Sequence, residues 1–176
     1  MKDTVLLVVD VQTAMVKQNP YQIERVVSNI KRLIAFCRDQ GIEVIYVRHD
    51  DGPGSDLERN TEGWQIYSEI SPQGEKIFDK QHNSAFLHTG LKEYLDERNI
   101  RNIILVGLQT EYCIDATCKA AFEYGYNVII PEETNTTFSN KYLSAKELYE
   151  FYNFEIWNNR FAKVVPINDL TGAFNG

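Results

Sequence analysis

Six consecutive residues near the amino terminus, Thr4-Val5-Leu6-Leu7-Val8-Val9, are all aliphatic or β-branched, with no polar alternation. A strand with one wet face alternates. A strand without alternation must be covered on both faces, as a central strand of a helix-flanked parallel sheet is. Ile103-Ile104-Leu105-Val106 repeats the pattern, and Ile42–Val47, Tyr126–Pro131 and Ala162–Pro166 read as further strands, with a short one at Lys76–Lys80. Between them lie segments with apolar residues three and four apart. The clearest is Tyr21 to Gln40, where Ile23, Val26, Val27, Ile30, Leu33, Ile34 and Cys37 form one stripe, closed by Gly41. Leu87–Arg98, Ala116–Phe122 and Lys141–Phe154 are the other predicted helices. Strands alternating with helices predict an α/β domain, with right-handed crossovers joining parallel strands. At 176 residues the chain accommodates one such domain, expected to span residues 1–176.

In open α/β sheets, ligands collect where strands end. Three apolar runs here lead into chemically capable side chains: Asp10, His49 and Cys113. Asp10 is costly directly after a buried strand unless something uses it. Cys113 falls between the Ile103–Val106 strand and the following helix, after Gly107 and a run of polar residues. The free N–H groups of a first helical turn favour negative charge, which would push a thiol toward thiolate and could hold an oxyanion. The competing reading is a packing cysteine, the role also given to Cys37 on its apolar stripe.

Three cysteines, an odd number without C-x-x-C spacing, suggest neither a disulfide framework nor a thiolate metal site. Reduced thiols and a direct start into a strand without a secretory leader lead us to expect a cytoplasmic protein. The net charge of -7 argues against nucleic acid as a partner, and no apolar run approaches the roughly 18 residues of a membrane helix. The segment Gly52–Glu75 has no periodicity but contains Trp64 and Tyr67, which suggests a pocket wall or lid.

Three segments resemble those of the isochorismatase-like cysteine hydrolases: Val8-Val9-Asp10-Val11-Gln12, then Lys80 with Ser84-Ala85-Phe86, then Gly107-Leu108-Gln109-Thr110-Glu111-Tyr112-Cys113. The superfamily includes nicotinamidases and N-carbamoylsarcosine amidase. The resemblance implies a three-layer, doubly wound sheet of about six mostly parallel strands with helices on both faces. It also implies that Asp10, Lys80 and Cys113 form a catalytic triad. From spacing alone nothing distinguishes Lys80 among the lysines. The family's non-proline cis peptide maps to Leu108–Gln109, which would bring the Gln109 N–H beside that of Cys113 as oxyanion donors. Gln12, Trp64, Phe86 and Tyr112 are expected as pocket walls.

Two departures narrow the branch. Nicotinamidases hold a metal through an Asp-x-His pair, and here Val47 stands where the acid would be, leaving His49 with Asp50 and Asp51 and no third ligand in evident reach. No bound metal or cofactor is therefore expected, which fits the metal-free branch that includes streptothricin hydrolase-like proteins. Enzymes that cleave the isochorismate vinyl ether do not rely on a cysteine nucleophile, so Cys113 favours C–N hydrolysis of a small amide, carbamoyl or lactam compound. If Asp50 and Asp51 face the pocket they would steer in a cationic amide. Members of the family commonly form dimers or tetramers. The alternatives are vinyl ether hydrolysis, or a non-enzymatic or redox-sensing oligomer that uses the Cys113 thiol.

Overall fold

The computed structural model describes residues 3–173, the side chains of 171–173 excepted, so the outer ends of the expected 1–176 domain lie outside the described residues. In chain order the elements are β1 (Thr4–Val9), α1 (Thr13–Lys17), α2 (Ile23–Asp39), β2 (Glu43–His49), β3 (Lys76–Lys80), α3 (Leu91–Glu97), β4 (Asn102–Leu108), α4 (Asp115–Glu123), β5 (Asn127–Pro131), β6 (Asn135–Thr136), α5 (Ala145–Glu150), β7 (Lys163–Val165) and α6 (Ile167–Ala173). The sheet runs β3-β2-β1-β4-β5-β7, and the two-residue β6 continues along β4 beyond the end of β5. Every pairing is parallel.

β1 is buried at every position because its side chains feed two cores. Val5, Leu7 and Val9 pack with Leu91 and Leu95 of α3, Cys118 and Ala121 of α4, and Trp157. Leu6 and Val8 pack with the α2 stripe and Leu170 of α6. The missing polar alternation is thus the mark of a strand covered on both sides. Among the described residues, no helix is long and apolar enough to cross a membrane.

β1 is also where the winding reverses. The chain leaves it through α2 for β2 on one flank and returns from β3 through α3 to β4 on the other. The carboxyl ends of β1 and β4 therefore open a crevice, the place where such sheets bind ligands. The two strands approach closely there. Gly107 pairs with Val9 at φ 129°, and a Cβ on it would collide with the Val9 carbonyl oxygen and stand 2.8 Å from its carbon.

Two helix boundaries differ from the sequence expectation. The third helix begins at Leu91 rather than Leu87, because His88 and Gly90 adopt positive φ and break the helical path. The helix expected over 141–154 begins at Ala145, where Ser144 and Glu147 form a reciprocal capping box. It runs on as a π-helical segment, Phe151–Trp157, which carries Trp157 into the core.

Gly107→Ala combines a disallowed φ with a backbone collision, so it is expected to lower unfolding stability by about 3 kcal/mol or more. Gly41→Ala, at φ 67° with open space around it, should cost only about 1 kcal/mol. Urea midpoints measure both, and equal losses would contradict the close approach of β1 and β4.

Candidate active site

Strand register brings the site residues to one edge. Val9 pairs with Val47 on one side and Gly107 on the other, and His49 pairs with Lys80. Asp10 therefore emerges beside His49 and Lys80, and the turn after β4 brings in Cys113. That turn, Thr110–Ile114, is π-helical and runs directly into α4. Thr110 Oγ1 anchors it by donating to Asn135 Oδ1 at 2.8 Å. Single π turns within helices recur at functional sites.

The centre is the Lys80 ammonium, buried with Asp10 at side-chain exposures of 0% and 5%. Its three N–H groups have three neutral acceptors: His49 Nδ1 at 2.9 Å, the His82 carbonyl at 3.0 Å and Cys113 Sγ at 3.2 Å. Asp10 Oδ2 lies 2.7 Å from Nζ as an ion pair, and the Asp10 carboxylate also accepts from the Cys113 thiol. Asp10 sits at φ 54°, a left-handed conformation rarely adopted by residues with a Cβ. A buried carboxylate held against a thiol in a strained backbone conformation marks a group kept for chemistry.

Cys113 departs from expectation in its ionisation. Burial pushes its thiol up to about 12, and the Asp10 charge adds to the rise, while Lys80 pulls against both. The resting group is a protonated thiol, so the helix start does not deliver a preformed thiolate. The loss of solvent is the largest cause of the rise. Cys37 and Cys118, also raised to about 12 by burial, lie in the two cores as packing residues.

A cavity of about 220 Å³ opens onto Asp10 and Cys113. Met15, Leu57 and Leu108 form its apolar lining, with His49, Asp51, Asn83, Gln109 and Tyr112 as polar groups. Tyr112 belongs to this lining, as do Asp51 and Leu57 of the 50–75 loop. Gln12, Trp64 and Phe86 do not line it. The Gln12 amide is spent on backbone, accepting from His49 N at 2.8 Å and donating to the carbonyls of His49 and Trp64 at 2.9 Å. Trp64 is buried beneath the Arg48 guanidinium, 3.6 Å from its ring centre. Phe86 stacks on Tyr126 with ring centres 6.0 Å apart. Asp50 is likewise turned away: it accepts from Gly52 N and pairs with Arg59, and these contacts hold its carboxyl below the usual range. The Leu108–Gln109 peptide is cis.

His49 acquires partners that the sequence did not reveal. Ligating atoms of Asp10, His49 and Cys113 lie within 4.8 Å of one another, a spacing that suits a metal ion. Lys80 Nζ already contacts all three, so a second cation would sit against an ammonium. The donor set therefore fits a lysine-centred cluster better than a metal centre. The His82 and His88 rings pack against each other with centres 5.8 Å apart, and His82 meets the cluster only through its carbonyl.

An isochorismatase domain model matches residues 4–169. The chain is 32% identical over 136 residues to a streptothricin hydrolase of Streptomyces noursei, covering 76% of this chain and 49% of that protein, so it spans about half the length of that relative. It is 24% identical to the ureidoacrylate amidohydrolase RutB of Agrobacterium fabrum over 98% of this chain and 90% of the relative. The crystal structure of an isochorismatase family protein superposes with a TM-score of 0.87 at 27% identity, covering 94% of this chain and 99% of that one.

Because Lys80 lowers the Cys113 thiol against the rise from burial and Asp10, Lys80→Met should push the titration further up and reduce the thiolate fraction at any fixed pH below it. Iodoacetamide alkylation of Cys113 at pH 8 should then slow about tenfold for each unit of rise. Alkylation as fast in this variant as in wild type would contradict the electrostatic assignment.

Proposed function

The chain belongs to the isochorismatase family, and from that premise we propose that it is a cysteine hydrolase cleaving a C–N bond of a small amide, carbamoyl or lactam substrate through a thioester on Cys113. The observation that carries this reading is the buried Asp10 carboxylate against the Cys113 thiol, both in contact with Lys80. A thiol raised to about 12 attacks readily only if its proton is removed as the bond forms, and the adjoining carboxylate is suited to that task.

In the proposed sequence Asp10 takes the Cys113 proton while Sγ bonds to the substrate carbonyl carbon. The carbonyl oxygen becomes an oxyanion that receives the Gln109 and Cys113 N–H groups. As the C–N bond breaks, Asp10 returns the proton to the leaving nitrogen, and ammonia or an amine departs. Asp10 then accepts a proton from water, which attacks the thioester. The C–S bond breaks, the acid product leaves, and the proton passes back to sulfur. Lys80 offsets whichever of the carboxylate and thiolate carries charge at each stage. The sequence draws on no cofactor.

The cavity supports a neutral or cationic substrate: its polar lining contains no Arg or Lys to receive a carboxylate, and Asp51 stands at its rim, 67% exposed. The ureidoacrylate amidohydrolase relative fits an amide-type substrate, and Cys113 itself disfavours vinyl ether cleavage. A redox-sensing role fits poorly with a thiol that burial keeps protonated. The same reading takes residues 1–176 as one cytoplasmic domain. A dimer or tetramer is favoured by the exposed aromatics Phe122, Tyr124, Phe151 and Phe154.

Intact-mass spectrometry with nicotinamide, N-carbamoyl compounds and cyclic and basic amides, with released ammonia or amine read in parallel, tests this. Wild type should gain the acyl mass and release amine, and Cys113→Ala should lose turnover by about a thousandfold or more. Undiminished turnover in Cys113→Ala would overturn the assignment.

A further inference from the structure

We propose that His49 is a positioning residue of the site: its Nδ1 is the fixed acceptor that holds the Lys80 ammonium against Cys113.

An ammonium has three N–H groups and no acceptor. Beside a carboxylate at 2.7 Å, the default is a charge-assisted hydrogen bond to that carboxylate. Here His49 Nδ1, His82 O and Cys113 Sγ share the ammonium with it at 2.9–3.2 Å. Without the His49 acceptor the ammonium is free to move toward Asp10 and away from Cys113. The contact also fixes the ring tautomer. Lys80 can only donate, so Nδ1 is bare and the ring proton sits on Nε2, which faces Asp51 Oδ1 at 3.5 Å.

The fold holds His49 for this task. Its backbone pairs with Lys80 across β2 and β3, and its N–H and carbonyl are both held by the Gln12 amide. A glutamine side chain with 0% exposure, spent on the backbone of one residue and of Trp64, gains a reason. It fixes the strand end that carries the imidazole.

The proposal rests on the cysteine-hydrolase reading, but its test needs no substrate. Asn and Leu have nearly the same shape, and an Asn amide oxygen can take the place of Nδ1. His49→Leu should slow iodoacetamide alkylation of Cys113 by about tenfold, the effect of one hydrogen bond to a charged group, while His49→Asn should stay near wild type. In a Lys80→Met background, His49→Leu should cause no further slowing, because His49 acts through Lys80. Circular dichroism checks folding, and His49→Ala takes the place of Leu if that variant does not fold. Alkylation as fast in the Leu variant as in wild type, Asn as slow as Leu, or further slowing in the Lys80→Met background would overturn the proposal. If wild type turns over no amide, the hydrolase reading fails while the alkylation series still decides the His49 contact.

Discussion

Everything at the carboxyl edge of this sheet depends on one buried cation. Removing a carboxylate and an ammonium from water costs several kcal/mol per ion, and their attraction offsets this only with good geometry and further hydrogen bonds. Lys80 meets that condition by contacting Asp10, His49, His82 and Cys113 at 2.7–3.2 Å. The strands supply the geometry, since the β2–β3 register sets Lys80 beside His49 and the close β1–β4 approach at Gly107 sets Asp10 beside the Cys113 turn.

The same cluster keeps features that do nothing for folding stability. Asp10 lies at positive φ, and burial and Asp10 raise the Cys113 thiol. Each is unfavourable alone, and together they set a carboxylate against a thiol. The cavity above them is lined by Met15, Leu57 and Leu108 and has Asp51 at its rim. It therefore combines limited space with a slightly negative mouth.

Much of the frame was legible in the sequence because it rests on local patterns. The non-alternating run Thr4–Val9 identified a doubly covered strand, and the acid after it marked the sheet edge. The strand-to-helix position of Cys113 followed from Gly107 and the polar run beyond it. Lys80 could be picked out only through family resemblance, since a lone lysine at a strand end has no periodic signal. Less legible were properties set by tertiary contact. Proximity to a helix start suggested a lowered Cys113 pKa, but burial decided the opposite. Gln12, Trp64 and Phe86 were expected as pocket walls, yet each is consumed by packing or backbone contacts. The helix expected from Lys141 starts instead at Ala145, where the Ser144–Glu147 capping box sets its beginning.

If Lys80 compensates the buried Asp10 charge, a double-mutant cycle in urea will show it. Lys80→Met leaves an uncompensated buried carboxylate and should cost about 3–5 kcal/mol. Adding Asp10→Asn to Lys80→Met removes that charge and should restore a large part of the loss, leaving the double variant more stable than Lys80→Met alone. A double variant less stable than Lys80→Met, with the two single losses simply adding, would mean that Lys80 does not offset Asp10.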